Sequence, residues 1–422
     1  MTATPVTTAA TAATAGNAEI AVTGLGVVSP AGIGAEACWR RVCLGAPTAA
    51  VDPELRGLRP DFSCRVPTFD AVGRLGAALA RRTDRFTQFA LLAAQEAVTQ
   101  AGHDPAGWDA TRVAVVTGSA FGGVGTLVRQ AGLLAEHGAG RVSPLTVPLV
   151  MANMSAGQLS AALGVRGPSL AVATACASGA TAIGVARDLL RSGACDVALA
   201  GGTEAAVDRL TAAAFARLDA LAPLPASQGP AAASRPFDAE RQGFVLAEGA
   251  AVLVLERLAD AKARGARVLG RLVGYGAAAD AHHPTTPHPA GVGLELALRR
   301  ALADAGARPA EVDHVNAHAT GTPLGDLAEA RTLHRLFGAV PVTAAKGTLG
   351  HTLGAAGAIE AALTVLTVAE GLIPPTANLA KQDPEIDLDV VHGAPRPARI
   401  GLALTDSAGF GGQNAVLAFA PA

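Results

Sequence analysis

The stretch SLAVATACASGATAIGVA, Ser169–Ala186, decides how the chain is read. Its first residues alternate in the manner of a short apolar strand. Thr174-Ala175-Cys176 then breaks the alternation, and small residues recur from Ser178 at the three- and four-residue spacing of a helix. A second stretch, GHTLGAAGAIEAALTV, Gly350–Val365, has the same character, with His351 where the first has Cys176. Small residues at that spacing let two helices approach closely, so both helices are expected face to face in the core. The pair predicts a duplicated α/β unit with reactive residues at the N-termini of two central helices.

Working outward, β-branched runs ending in Gly alternate with Ala-rich segments. Strands are expected at Glu19–Val28, Arg112–Thr117, Ser169–Ala173, Asp196–Ala200, Ala251–Leu255 and near Leu269–Gly276. Helices are expected at Arg85–Ala101, Gly179–Ser192, Gly293–Ala305, Leu324–Phe337 and Gly354–Glu370. Such alternation predicts an α/β architecture with parallel strands. The Pro/His loop His282–Pro289 marks the seam between halves. Residues 1–18 form an Ala/Thr-rich flexible leader, 19–270 a first half carrying the cysteine, and 271–422 a second half carrying the histidines.

The 33 Lys+Arg against 35 Asp+Glu give a net charge of -2, which argues against a nucleic-acid binder needing a basic face. Half of the residues are hydrophobic, too many for a disordered chain. Five cysteines at irregular spacings (Cys38, Cys43, Cys64, Cys176, Cys195) suggest neither a disulfide framework nor a metal site, and a reducing cytoplasm fits them. The leader lacks the basic start and apolar core of a signal peptide. Gly167–Ala186 is uncharged and long enough to span a bilayer, but its Ala, Gly, Ser and Thr are weakly apolar, so it is expected to be buried in protein rather than in lipid. No membrane association is expected.

Cys176 sits where a strand turns into a helix, a geometry that presents a nucleophile. The helix N-terminus favours the thiolate and lowers its pKa, and its free N–H groups suit an oxyanion. Taken alone, a small buried cysteine is the commoner reading. His318, in NAHATGTPLGD (Asn316–Asp326), ends a strand before a hydroxyl-rich loop, with Pro323 and Asp326 opening a helix. It reads as a proton shuttle or hydrogen-bond donor, or equally as a surface loop histidine. Lys346 and Glu360 flank His351 in a Gly-rich apolar setting, where neither charge is tolerated unless paired, so the two are expected to meet. A structural ion pair accounts for that on its own. GFGGQN, Gly409–Asn414, is a flexible loop around the aromatic Phe410.

Together these segments resemble the β-ketoacyl synthases, elongating members of the thiolase-like condensing enzymes, from about Ile20 to Phe419. The motifs Thr-Ala-Cys-x-Ser-Gly, His-Gly-Thr-x-Thr and Lys-x-x-x-Gly-His fall on Cys176, His318, Lys346 and His351. Val22–Gly26, Arg235–Asp238, Gly243–Val245 and Gly201–Glu204 match as well. The resemblance implies two similar α/β halves in a five-layer αβαβα sandwich and a dimer, either a homodimer or a heterodimer with a chain-length-factor-like homologue. It implies decarboxylative Claisen condensation on acyl-carrier-protein thioesters for fatty-acid or polyketide elongation. Cys176 would carry the acyl chain, and the N–H groups of Cys176 and Phe410 would hold the oxyanion. His318 and His351 would donate to the malonyl thioester carbonyl. Lys346, with Glu360 and Asp326 in support, would orient the site. Thr320 and Thr322 match pantetheine-binding positions and Phe410 a gate. No cofactor or metal is implied beyond the phosphopantetheine that arrives on the acyl carrier protein.

Neighbouring branches fit less well. Thiolases use a second C-terminal cysteine, initiating synthases use Cys-His-Asn, and non-catalytic chain-length subunits usually carry Gln at the Cys176 position. Four departures from the elongating pattern stand out: Ala319 for Gly, Ala408 for a frequent Phe, Gln413 for Thr or His, and Asp219 where a docking Arg is common. Ala408 is expected to leave room beside the gate and Asp219 to redirect carrier docking, pointing to a specialised carrier and acyl chain. Arg81 and Arg82 are candidate carrier contacts or a solvated helix face.

Overall fold

The computed structural model describes residues 18–226 and 228–422. The leader expected over 1–18 lies, apart from Ala18, outside the described residues. In chain order the main strands are β1 (Ile20–Ser29), β2 (Val113–Gly118), β3 (Ser169–Val172), β4 (Val197–Glu204), β5 (Gly249–Arg257) and β6 (Gly270–Ala279). They continue as β7 (His314–Asn316), β8 (Pro341–Thr343), β9 (Asp389–Val390), β10 (Ala403–Gly409) and β11 (Gln413–Ala420). The helices that matter here are α1 (Arg85–Gln100), α2 (Ser178–Arg191), α3 (Val292–Ala305), α4 (Pro323–Phe337) and α5 (Ala356–Glu370).

The order across the sheet is β9-β8-β7-β10-β11-β6-β1-β5-β4-β2-β3. Its two arms repeat one pattern. In the first, β3, β2 and β4 run parallel, and β5 and β1 then add antiparallel. In the second, β8, β7 and β10 run parallel, and β11 and β6 add antiparallel. Among the described residues, the arms pair within the sheet where Ile20–Val22 of β1 meets Gly270–Leu272 of β6. The sheet is thus mixed: the expected parallel strands are there, and antiparallel pairs join them. β5 follows β4 after a long excursion that includes the helix Arg209–Arg217 and returns antiparallel beside β4, and β10 and β11 form an antiparallel hairpin.

α2 and α5 lie between the arms, and one core unites their Ala, Ile, Leu and Val side chains with both sheets. α1 covers the outer face of the first arm, and α3 and α4 cover the second. The result is five layers, αβαβα. The central helices touch almost backbone to backbone. A Cβ at Gly179 would sit 2.7 Å from the Ala358 nitrogen, and one at Gly357 would sit 2.9 Å from Ala180. Leu353–Glu370 is long and apolar enough to cross a membrane, yet 83% of it is buried in this central layer.

Gly167–Ala186 is only partly buried. Ala177–Ala180 are enclosed, but β3 forms the edge of the sheet, and Leu170 on it is 41% exposed.

Candidate active site

Residues from both halves converge at the N-terminal ends of α2 and α5. Between β3 and α2 the backbone turns through Ala175, which adopts a positive φ of 50°, a strained conformation for a residue with a side chain. Ser178 holds the turn by accepting from the Thr174 N–H at 2.9 Å and donating to the Ala175 carbonyl at 2.6 Å. Gly409 closes over it, since a Cβ there would meet the Thr174 oxygen at 2.6 Å and the Cys176 nitrogen at 3.0 Å. Cys176 is thereby held facing a cavity of about 390 Å³ that His318, His351, Thr320, Thr322, Phe410 and Ala408 also line.

The Cys176 Sγ lies 3.1 Å from Nε2 of His351. The His351 ring stands edge-on to that of His318, centroids 5.4 Å apart, and edge-on to Phe244 at 5.1 Å. Lys346 Nζ lies 3.3 Å from Nδ1 of His318 and forms an ion pair with Glu360. An ammonium only donates, so Nδ1 of His318 is the acceptor and its ring proton sits on Nε2. Lys346 and Glu360 meet as charge pairing predicts, and the ammonium also fixes a histidine tautomer.

Burial holds both imidazoles well below the ordinary histidine range, helped by the Lys346 charge and, for His318, by His351. Both rings are therefore neutral at pH 7. Burial pushes the Cys176 thiol up to about 12, although the Lys346 charge and the Phe410 N–H pull the other way. This corrects the expectation of a lowered pKa: desolvation outweighs the helix N-terminus and the nearby cation. The resting pair is a thiol beside a neutral imidazole.

Thr320 and Thr322 place their hydroxyl oxygens 3.0 Å apart on the cavity wall. The Phe410 ring meets Phe215, centroids 6.2 Å apart, and Phe215 continues to Phe244 at 5.3 Å and Phe121 at 6.3 Å. Asp326, in the first turn of α4, does not reach the cavity. It accepts from the Phe237 and Gly321 N–H groups at 2.8 and 3.0 Å, so its support is to the loop after His318.

The sequence reading assigned no role to three buried acids or to one wall of the cavity. Glu329 of α4 accepts the N–H groups of His318 and Ala319 at 2.7 and 2.8 Å. Its spacing of three from Asp326 puts both acids on one helix face beneath that loop, a signal that was there to use. Asp406, an acid in an apolar strand, is buried against Glu329, and burial together with that neighbour pushes Glu329 well above the usual carboxylate range. Glu204 accepts from Ser119 and from the N–H groups of Ala120, Phe121 and Gly354, tying the two halves beside the site. The Pro/His loop read as a seam also lines the cavity, with His283, Thr285, Thr286 and His288.

Residues 17–261 match the family described as "Beta-ketoacyl synthase, N-terminal domain", and 269–380 match "Beta-ketoacyl synthase, C-terminal domain". The chain is 40% identical over 408 residues to 3-oxoacyl-[acyl-carrier-protein] synthase 2 of Synechocystis sp., covering 95% of this chain and 97% of that one. Among solved structures it is similar to the ishigamide ketosynthase/chain length factor, with a TM-score of 0.88, 33% identity and coverage of 96% and 100%. It is also similar to a type II PKS acyl-carrier protein in complex with its ketosynthase bound to the hexaketide, with a TM-score of 0.89, 28% identity and coverage of 96% and 100%.

Proposed function

The chain belongs to the β-ketoacyl synthase family and is a condensing acyltransferase with the thiolase-like fold; from that premise we propose how its residues elongate a carrier-bound acyl chain. The observation that carries the reading is a cysteine sulfur 3.1 Å from one imidazole, with a second imidazole edge-on to the first, in a mostly apolar cavity.

In the first half-reaction the Cys176 sulfur attacks the acyl thioester. Its proton passes to the departing carrier thiolate through His351, which is within hydrogen-bond reach. The N–H groups of Cys176 and Phe410 stabilise the oxyanion. The phosphopantetheine thiol leaves with its acyl carrier protein. In the second half-reaction, malonyl carrier protein places its arm along Thr320 and Thr322. His318, with its proton fixed on Nε2, and His351 donate to the thioester carbonyl. The bond to the carboxylate breaks, carbon dioxide leaves, and its electron pair forms an enolate held by the two N–H groups. The enolate carbon attacks the acyl-Cys176 carbonyl, the C–S bond breaks, and the thiolate takes up one proton. Neutral rings suit this role because each donates without placing a full charge beside the sulfur. No metal is needed for these steps.

The division of labour follows from residues 19–270 supplying the nucleophile and 271–422 the imidazoles. A dimer is part of the proposal. β3 is an apolar sheet edge, and Leu127, Leu134, Val147 and Met151 in the preceding segment are also exposed. The second chain is an identical copy or a chain-length-factor-like homologue. Asp219, at positive φ on the cavity wall, redirects the carrier, and the chain elongated is a fatty acid or a specialised polyketide or polyene. Arg81 and Arg82 are exposed without an ion pair among the described residues and offer contacts to an acidic carrier in the cytoplasm.

Intact-protein mass spectrometry after incubation with acyl carrier protein tests the reading. One acyl adduct is expected, absent in Cys176→Ala, with 3-oxoacyl product on adding malonyl carrier. An adduct that survives Cys176→Ala would falsify the assignment. Condensation only with a second, different subunit would select the heterodimer.

A further inference from the structure

The cavity does not end at the reacting residues. It continues past Ala408 to Gly291 and Leu294 at the start of α3, and to Gly325 and Ala328 on one face of α4. Strand alternation explains the direction. Ser407 points inward, where it would meet any Cβ at Gly357 of α5, so Ala408 points to the outer helices. Its side chain is a single methyl, partly exposed to the cavity. The nearest polar side chains are tied to each other and to the loop: Asn414 donates to Asp280 at 2.8 Å, and Asp280 accepts from the His288 N–H at 3.0 Å. A small apolar recess remains.

The recess adjoins the chemistry on two sides. Gly409, the next residue after Ala408, packs on the Cys176 nitrogen. Glu329, the next residue after Ala328, holds the His318 N–H. The recess therefore opens where an extender held by the two imidazoles presents the carbon that attacks the acyl carbonyl on Cys176. The aromatic row of Phe215, Phe244 and Phe410 lies against Cys176 instead, beside the acyl group bound there.

We propose that this recess receives an apolar branch on the attacking carbon, so that the enzyme accepts 2-alkylmalonyl thioesters, with Ala408 as the specificity-determining residue. The proposal rests on the elongating reading above and deepens it. The balance is that of the unbranched reaction: the carbon–carboxylate bond breaks, carbon dioxide leaves, the substituted enolate attacks the acyl carbonyl, the C–S bond to Cys176 breaks, and one proton is taken up. The product is a 2-alkyl-3-oxoacyl thioester.

The test offers malonyl- and methylmalonyl-loaded bacterial fatty-acid acyl carrier protein together to the acylated enzyme, with products weighed. The wild type is expected to incorporate both within about tenfold of each other. Ala408→Phe fills the recess and is expected to lower the methylmalonyl-to-malonyl ratio at least tenfold. Leu294→Trp, filling the recess from α3, should lower it in the same direction and guards against one variant failing to fold. A wild type that condenses malonyl but refuses methylmalonyl overturns this inference and leaves the ketosynthase reading standing, as does a ratio unmoved in both variants. Condensation of neither extender by an enzyme that carries the acyl group, with its own carrier and any second subunit it requires present, sinks both.

Discussion

At the scale of single residues, the site is governed by what burial does to titratable groups. The two imidazoles titrate well below the ordinary histidine value, so the neutral form, with one N–H to donate, is the one present near neutral pH. Falling pH therefore protonates them only well below pH 6.5, and the condensation rate is expected to stay level from pH 8 to pH 6. Lys346→Ala removes a charge that pushes both values down, so the acid limb of the pH–rate profile should move upward, along with a large loss of rate. An unmoved acid limb would mean that Lys346 acts only as the partner of Glu360. The Cys176 thiol, pushed up to about 12, sets a second expectation. Alkylation of the free enzyme by iodoacetamide should keep accelerating up to pH 10. A plateau near neutrality would show a stabilised thiolate. The sequence locates Cys176 and the histidines by motif, but the sign of the thiol shift depends on how much water the folded cavity admits, which no local pattern records.

At the scale of elements, the central helices carry the fold. Small residues at three- and four-residue spacing in both halves predict their contact, and their glycines show how tight it is. Gly179→Ala puts a methyl 2.7 Å from a backbone nitrogen of α5 that has nowhere to go. It is expected to destabilise the protein by about 1–3 kcal/mol in thermal unfolding. Gly132 makes the contrast, since it lies in the helix Val124–His137 with no atom within 4 Å of an added Cβ. Gly132→Ala should be neutral or stabilising by about 0.5–1 kcal/mol, because it removes only backbone freedom from the unfolded chain. Equal effects at the two positions would contradict the close packing of the central layer. Strand direction was the weaker inference. Alternation of apolar runs with helices reports layers, while direction depends on whether a connection crosses over or turns back, and the hairpin Ala403–Ala420 turns back.

At the scale of the whole molecule, the exposed sheet edge calls for a partner. An unpaired apolar strand such as β3 is an aggregation hazard unless covered, and Leu170 lies exposed on it. Light scattering after size exclusion is expected to give a dimer for the wild type, or for a mixture with a homologous subunit, and a monomer for Leu170→Asp. A wild type that stays monomeric alone and with any homologue offered would remove the subunit interface from the proposal. Sequence alone determined the residue types, their order along the chain and the two small-residue helices, because motif spacing and helical periodicity are local properties. Folding decided the rest. It brought residues 176, 318, 346 and 351 to one point across two halves, set Glu329, Asp406 and Glu204 behind them, and turned the Pro/His seam into a cavity wall. Those outcomes depend on long-range packing and on the exclusion of water, which exist only once both sheets have closed over the central helices.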